Sequence, residues 1–325
     1  MAIRIECSDK EDANWNHRLL ESNLGTIYQT QEMKINFENQ GFTPKFLRFY
    51  DEKGNVVGQL LYSEITSSTH KNKAKQILKR VIKSKILCQW SYGPVVLDKN
   101  YSNEIFSKLG DFLLKEDYNV LGTEHPFASS IIPGLEKKFR FVPWSTFIID
   151  LRQPKDFIYN NIAKHNGRKN IERSIKRKVT VEEINEKSLS EYYELYVNMQ
   201  KKAHKSNDYK NFENLLKWWK LFKPLGYSGL LAKRNDEAVG GLLFSYFNDH
   251  IIEGGVVRSE IDRELNLYSQ DLIKWKIIEW GIENKKLYYN FAGFNPNPQS
   301  NKEIGIMQYK KKWGGKQYNY WIIKK

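Results

Sequence analysis

Cysteine is scarce in this chain: Cys7 and Cys88 are the only two among 325 residues. Two thiols cannot build a disulfide scaffold, and their spacing fits no metal site. No stretch approaches the roughly 18 consecutive apolar residues that a transmembrane helix needs. The opening residues, MAIRIECSDKEDANW, contain no apolar signal core, which predicts a cytoplasmic protein. These absences argue against a disulfide-stapled secreted domain, a metal module and a membrane-spanning protein.

Acidic residues are outnumbered by basic ones, 38 to 52, so the formal net charge is +14. An excess of this size favours a polyanionic partner, such as nucleic acid, a nucleotide-linked substrate or an anionic membrane surface. The alternative is a generally solvated, lysine-rich surface. Hydrophobic residues make up 40% of the chain, and its length is sufficient for two ordinary domains with their own cores.

One passage occurs twice in the sequence. Residues 45–65 and residues 230–247 each contain an apolar run, a polar turn and the pattern Val-Gly-x-Leu-Leu-x-Ser. The shared residues keep one constant offset: Val57, Gly58, Leu60, Leu61 and Ser63 correspond to Val239, Gly240, Leu242, Leu243 and Ser245. A repeat on this scale predicts two related domains in tandem.

Each copy of the repeat continues in the same way. The repeated passage alternates like a β-hairpin, and a Tyr-Ser pair then opens a stretch of helical period, at Tyr101-Ser102 and at Tyr268-Ser269. A strand pattern follows in both halves, at 119–122 and at 287–291. Two copies of hairpin, helix and strand predict an α/β protein with mixed sheets flanked by helices.

The domain boundary is predicted near residue 150. Residues 141–151, FVPWSTFIIDL, have the pattern of a strand that closes the first unit, and Gln153-Pro154-Lys155 follows it. The predicted domains are therefore 1–150 and 151–325, with the last ten or so residues packing back on the first.

Residues 164–178, KHNGRKNIERSIKRK, form the densest positive block of the chain, with Glu172 as its one acid. As a helix, the block would bring its cations onto neighbouring turns and create a phosphate-facing surface. The alternative is a solvated helix face. The residues predicted to contact phosphates are Lys164, Arg168, Lys169, Arg173, Lys176 and Arg177.

The end of the chain carries a distinctive motif. The string Asn290-Phe291-Ala292-Gly293 precedes Gly305-Ile306 and then 309–315, YKKKWGG. This arrangement is similar to the closing "DF-G … G-I-x-x-FK-x-x-W-G" signature of the Fem family, the peptidoglycan interpeptide-bridge aminoacyltransferases. Gly93-Pro94-Val95 and the basic block also resemble that family, and Ile27–Thr30 looks like its first strand. No long insertion occurs between 180 and 220, so the chain resembles the shorter members.

The resemblance implies both a fold and a chemistry. The fold is two tandem GNAT-like domains, and the chemistry is transfer of an aminoacyl group from aminoacyl-tRNA to a primary amine on a nucleotide- or lipid-linked acceptor. It implies that Lys310 lies at the reaction centre with Tyr309 beside it. The chain departs from the family pattern at Glu253, where a tyrosine is expected, and at Asn290, where an aspartate is expected.

Aminoacyl transfer needs a stabilised oxyanion and a proton acceptor. Lys310 is the predicted source of positive charge; its alternative interpretation is one of three exposed lysines in a run. Glu124 follows a predicted strand and Glu253 precedes two glycines, and both are predicted proton acceptors. The alternative for each is an ordinary carboxylate at the end of a strand.

Further residues are predicted to bind substrate rather than to react. His125 and His204 can titrate near neutral pH, and as proton acceptors they rank below Glu124 and Glu253. The complete set of predicted substrate-binding residues is Tyr309, Trp313, Gly293, Asn290, His125 and His204.

No metal and no cofactor is predicted beyond aminoacyl-tRNA as co-substrate. GNAT domains that use acetyl-CoA hold its pyrophosphate on a glycine-containing loop before a helix. The corresponding segments here, 97–100 and 258–267, contain no glycine.

Three functions remain open from the sequence. The favoured one is an aminoacyltransferase whose partners are aminoacyl-tRNA, an amine-bearing acceptor and, peripherally, a membrane surface. The second is an acyl-CoA-type N-acyltransferase of small-molecule biosynthesis on the same scaffold. The third is a non-catalytic module that binds nucleic acid or membrane through its positive charge.

Overall fold

The computed structural model describes residues 3–66, 86–128, 135–203, 209 and 211–325. His204, one of the predicted substrate-binding residues, lies outside the described residues. The chain divides into two compact units, residues 1–145 with 318–325, and residues 146–317. The sequence places its boundary near residue 150, a few residues further along the chain.

Unit 1 is a mixed sheet with helices. Its helices are α1 (Trp15–Glu21), α2 (Met33–Asn39) and α3 (Ser102–Lys115). Its strands are β1 (Arg4–Ser8), β2 (Thr43–Tyr50), β3 (Val56–Ile65), β4 (Leu87–Trp90), β5 (Val95–Val96), β6 (Asn119–Thr123), the first part of β7 (Arg140–Asp150) and most of β13 (Lys316–Lys324). The strands β1-β2-β3-β4-β6-β13 are neighbours in that order, and β5 pairs with β3. β4 and β6 run parallel.

Unit 2 repeats this plan. Its helices are α4 (Lys155–Asn161), α5 (Lys169–Lys176), α6 (Ser188–Lys202), α7 (Phe212–Phe222), α8 (Glu260–Glu264), α9 (Ser269–Glu283) and α10 (Asn301–Lys311). Its further strands are β8 (Thr180–Glu183), β9 (Tyr227–Arg234), β10 (Glu237–Ser245), β11 (His250–Arg258) and β12 (Tyr288–Asn290). The strand order is β7-β12-β11-β10-β9-β8, with β11 and β12 parallel.

The repeat in the sequence corresponds to a repeat in the structure. The duplicated passage forms the hairpin β2–β3 in unit 1 and the hairpin β9–β10 in unit 2. Each Tyr-Ser pair precedes a long helix, α3 or α9, which leads into a strand beside the hairpin sheet. The predicted α/β architecture with mixed sheets is confirmed.

The strand predicted from the resemblance at Ile27–Thr30 is wrong. Ile27–Gln29 is a single 3₁₀ turn. The segment is tied to β3 by a side chain and not by its main chain, because Gln29 donates to the carbonyl oxygen of Leu61 and accepts from the Leu61 N–H.

The basic block is not one continuous helix. Lys164–Arg168 form a π-helical turn, and α5 continues from Lys169 to Lys176. Gly167 in this turn packs against Ile162, whose side chain would lie 2.4 Å from an added Cβ. Among the described residues, no helix is long and apolar enough to cross a membrane.

Candidate active site

A bulge in β11 opens the sheet of unit 2. Leu242 faces Val256 and Phe244 faces Glu253, so Gly254 and Gly255 together stand opposite a single residue of β10. Such a bulge bends the strand and disrupts pairing. An added Cβ on Gly255 would lie 2.1 Å from the hydroxyl of Tyr192, so only glycine fits there. The parallel pairing of β11 with β12 ends at the level of Ile252 and Asn290.

Glu253 lies at this opening in a buried ion pair. Its side chain is 5% exposed and that of Lys274, on α9, is 2% exposed. The same carboxylate oxygen, Oε1, also accepts a hydrogen bond of 2.6 Å from the Tyr289 hydroxyl. An ionised pair out of water is tolerated only when each partner is compensated, and here Lys274 and Tyr289 both compensate Glu253.

A second buried ion pair lies beside the first. Asp271 of α9 pairs with Lys312, and both side chains are 6% exposed. Burial raises the pKa of Asp271 and lowers the pKa of Lys312, and the attraction between them offsets both shifts in part. The lysines of the two pairs, Lys274 and Lys312, lie 5.8 Å and 4.0 Å from the ring centroid of Tyr309. The Tyr309 ring therefore has two cations within cation–π distance.

Lys310, on α10, points to the loop after β12. Its Nζ donates to the carbonyl oxygens of Ala292, at 3.0 Å, and Gly293, at 2.8 Å. Burial lowers the pKa of Lys310 to about 8; Glu253 opposes this shift and Lys274 adds to it. At neutral pH the group is still mostly an ammonium ion. An ammonium group has three N–H donors, and two of them are used by these carbonyls.

The loop that receives Lys310 is shaped by Asn290. The Asn290 side-chain oxygen accepts from the Ala292 N–H at 2.9 Å and from the Thr146 hydroxyl at 2.6 Å. These bonds fold the chain back immediately after β12, and Ala292 takes a left-handed conformation with φ of 59°. Asn290 thus aims two carbonyl oxygens at Lys310, a role for which an amide is sufficient.

Six of the predicted site residues are brought together in unit 2: Lys310, Glu253, Tyr309, Trp313, Gly293 and Asn290. Trp313 is fully buried and packs on Phe291, with ring centroids 5.7 Å apart. Among the described residues, neither the Tyr309 hydroxyl nor the Trp313 indole nitrogen has a hydrogen-bond partner. The catalytic and binding roles assigned to these residues stay predictions.

Glu124 occupies an unusual position in unit 1. Its side chain is fully buried, and neither carboxylate oxygen has a well-formed hydrogen bond to a described residue. Burial raises its pKa to about 8, an effect that the main chain of Trp321 offsets only weakly. A carboxyl group without a charge partner is disfavoured in its ionised form. The proton-acceptor role of Glu124 stays a prediction.

His125 is buried next to Glu124. Its Nδ1 accepts the main-chain N–H of Phe127 at 3.1 Å, and its ring packs edge-on to Tyr92 at 5.8 Å. The accepted bond fixes which ring nitrogen has the lone pair.

The basic block starts next to the Lys310 helix. The N–H of Ala163, one residue before the π-helical turn, donates to the Lys312 carbonyl at 2.7 Å. One cation of the basic block makes contacts within unit 2: Arg177 donates to the Asn266 carbonyl at 2.7 Å and lies over the Tyr268 ring. Lys164 and Lys176 are exposed, as a phosphate-binding surface requires.

Sequence reasoning missed Lys274, Asp271 and Lys312. A signal was available, because the helical stretch 269–283 is apolar around most of its circumference, and such a helix is buried. Charged residues within it must then be paired. Among the described residues, no group of three or more His, Cys, Asp or Glu could hold a metal ion.

The chain was compared with known proteins by sequence and by structure. No family model and no curated protein sequence matches the chain. Several solved structures do. FemX is 12% identical with a TM-score of 0.71, over 97% of this chain and 96% of FemX. A tandem GNAT protein from the clavulanic acid biosynthesis pathway is 11% identical with a TM-score of 0.56, over 99% and 97% of the two chains.

L-PGS from Bacillus licheniformis is also similar, at 11% identity and a TM-score of 0.55, over 92% of each chain. Identities this low establish the fold alone. The chain therefore has the tandem GNAT fold seen in FemX, as its resemblance to the Fem family predicted.

Proposed function

We propose that this protein is an aminoacyltransferase that moves an amino acid from aminoacyl-tRNA to a primary amine. The observation that carries the proposal is the Lys310 ammonium group, held on the Ala292 and Gly293 carbonyls at the opening of the sheet. Its remaining N–H is available to an oxyanion, which is the charge that develops when an amine attacks an ester.

The reaction then runs as an ordinary aminolysis. The acceptor nitrogen attacks the ester carbonyl, a C–N bond forms, and the C–O bond to the tRNA ribose breaks. One proton leaves the nitrogen and one is delivered to the ribose oxygen. Glu253 is the proposed acceptor within unit 2, since Lys274 and Tyr289 keep its carboxylate in place. In unit 1, the raised pKa of Glu124 suits a group that exchanges a proton near neutral pH.

The position of the basic block supports tRNA as the donor. The Ala163 N–H is hydrogen-bonded to the carbonyl oxygen of Lys312, so the block begins beside a residue that is two positions after Lys310 in the chain. Phosphates bound along Lys164, Lys169 and Lys176 would lie on the same unit as Lys310. The resemblance of the closing motif to the Fem family implies this donor, and the chain shares the fold of FemX.

The alternative is an acyl-CoA N-acyltransferase, which the similarity to a tandem GNAT protein favours. The N-terminus of α9 argues against it in unit 2. CoA pyrophosphate binds GNAT domains at such a helix N-terminus. Here the Ser269 N–H is already bonded, at 2.8 Å, to the carboxylate of Asp262, which is fully buried. The main-chain N–H that would meet a phosphate is therefore already used within the protein, and the carboxylate that accepts it is itself paired with Arg258.

The deciding experiment measures binding of the full chain to charged tRNA, uncharged tRNA and acetyl-CoA at two salt concentrations. We expect preference for charged tRNA and a steep loss of affinity as salt rises, because phosphate contacts release counterions. Tight binding of acetyl-CoA without discrimination between the tRNAs would overturn the proposal in favour of the alternative. Equal binding of both tRNAs without any transfer would indicate a non-catalytic module.

A further inference from the structure

A second positively charged feature lies in unit 1, in a cleft between the start of β7 and the end of β13. The cleft has a volume of about 670 Å³. It is largely open to solvent, so a ligand would lie across it and not inside it. In the part of the chain that the structure describes, five cations line it: Lys137, Lys138, Arg140, Lys324 and Lys325.

The charge of this cleft is almost uncompensated. Glu136 is the one acidic residue among the described residues that line it. Among the described residues, the carboxylate within ion-pair distance of these cations is that of Asp117, 3.6 Å from the Lys325 Nζ. The Asp117 side chain is 63% exposed, so this pair is weak. Like charges gathered at a concave surface favour an anionic ligand.

Among the described residues, three aromatic side chains line the cleft: Phe139, which is buried, and Phe141 and Trp321. Phe141 and Trp321 meet edge to face, with centroids 6.1 Å apart and planes at 85°, and both are partly exposed. Aromatic rings between cations are the pattern with which proteins bind single-stranded nucleic acid, because bases stack on the rings while phosphates contact the cations.

The adjoining apolar crevice argues against a lipid. It lies between Phe141 and the α3 residues Leu109 and Leu113, and its volume is about 20 Å³. A single water molecule needs about 10–15 Å³ on this measure, so no acyl chain can enter. The ligand must therefore be held by charge and by stacking on the open side of the cleft.

We propose that this cleft of unit 1 binds single-stranded RNA, with phosphates on Lys137, Lys138 and Arg140 and a base stacked on Trp321. The cleft is separate from the basic block, which belongs to unit 2. The inference does not depend on the proposed transfer reaction, since binding can be measured without any acceptor.

The test measures anisotropy of a fluorescein-labelled 12-nucleotide oligouridylate with the full chain, at 50 and 200 mM salt. The test variant is K137E/K138E. The matched control is K53E/K99E, which makes the same charge change at exposed lysines of unit 1. Lys53 lies in the β2–β3 turn, at one end of the sheet. Lys325, which lines the cleft, bonds to the main chain of Val120 at the other end of the sheet.

Both variants are also made in a K164E/K176E background, so that RNA bound to the basic block is removed. We expect K137E/K138E to weaken binding at least tenfold more than the control does. The slope of log affinity against log salt should fall by roughly 1.4, about 0.7 for each lost phosphate contact on a single strand. Trp321→Ala should weaken binding about tenfold, with circular dichroism confirming that it is folded.

Several results would overturn the inference. One is absence of binding to the wild-type chain, and another is an equal effect of K137E/K138E and K53E/K99E. A third is a cleft-dependent association with vesicles of phosphatidylcholine and phosphatidylglycerol at 7:3 while oligouridylate binding is independent of the cleft. That result would make the cleft a membrane contact.

Discussion

Lys274 and Glu253 form an ion pair inside unit 2, with only 2% and 5% of their side chains exposed. Removing one partner leaves an uncompensated buried charge, which typically costs about 3–5 kcal/mol. We therefore expect Lys274→Met to lower the free energy of unfolding by that amount in urea titrations. Glu253→Leu together with Lys274→Met should recover most of the loss.

The control for this prediction is the exposed pair Lys217 and Glu213, whose side chains are 65% and 69% exposed. Surface pairs contribute about 0–1 kcal/mol. Lys217→Met should therefore be close to neutral. Equal destabilisation by the two lysine variants would show that the buried pair does not compensate charge.

Lys310 is expected to act on the reaction and not on donor binding. Lys310→Met should lower the rate of transfer from charged tRNA by about 10²–10³, because an electrostatic stabiliser of the transition state is lost. Affinity for charged tRNA should change less than threefold. The adjacent exposed Lys311→Met is the matched control, and similar losses in both variants would contradict the assignment.

The lowered pKa of Lys310 also predicts how stability depends on pH. Between pH 8 and 10.5 the unfolded chain keeps the Lys310 proton and the folded chain releases it. Stability relative to Lys310→Met should therefore rise with pH in this window, by about 1.6 kcal/mol from pH 8 to 9.5. Chemical denaturation at these two pH values measures it, and a constant difference between the proteins would refute the shifted pKa.

The raised pKa of Glu124 predicts that stability changes with pH in the opposite direction. Its pKa of about 8 in the folded chain lies above the ordinary value of 4.5, so between these values the folded chain holds a proton that the unfolded chain has lost. Wild-type stability relative to Glu124→Gln should fall as pH rises from 5 to 8, by up to about 1.4 kcal/mol per pH unit. The exposed Glu116→Gln is the control and should show no such trend.

Ser300 is predicted to hold the helix that carries Lys310. Its hydroxyl accepts the Glu303 N–H, and the Glu303 carboxylate accepts the Ser300 N–H, which is a complete capping box. None of the α10 residues is fully buried, so the helix depends on its cap more than a packed helix does. Ser300→Ala should cost about 1 kcal/mol and speed amide exchange in α10 by about fivefold.

Asn211→Ala is the control, because Asn211 caps α7 through the Asn214 N–H. It should leave exchange in α10 unchanged. Transfer by Ser300→Ala should fall less than transfer by Lys310→Met. An unaltered exchange rate in α10 would mean that the helix is held by contacts other than its cap.

Local patterns in the sequence predict much of the architecture. The duplicated Val-Gly-x-Leu-Leu-x-Ser passage lies on β3 and β10, and the Tyr-Ser pairs open α3 and α9. Hairpins and amphipathic helices depend on residues close in sequence, so their periods are visible without a structure. The strand expected at Ile27–Thr30 came from the family resemblance and not from a local pattern, and the segment is a 3₁₀ turn whose Gln29 side chain bonds to the main chain of Leu61.

The closing motif, which resembles that of the Fem family, pointed to Lys310, Tyr309 and the turn at Asn290. It did not predict that Lys310 contacts main-chain carbonyls, since these belong to residues 17 and 18 positions earlier. The environment of the lysine, and with it the lowered pKa, depends on how α10 packs against the loop after β12.

What the sequence determined by itself is the tandem plan, the positive charge and the closing motif that contains Lys310. Only the tertiary structure decided which charges are paired and buried. Lys274 and Glu253 are 21 residues apart, and Lys312 and Asp271 are 41 apart. Their pairing follows from the bulge in β11 and from the packing of α9, because the energy of a charge depends on the solvent and partners that the whole fold places around it.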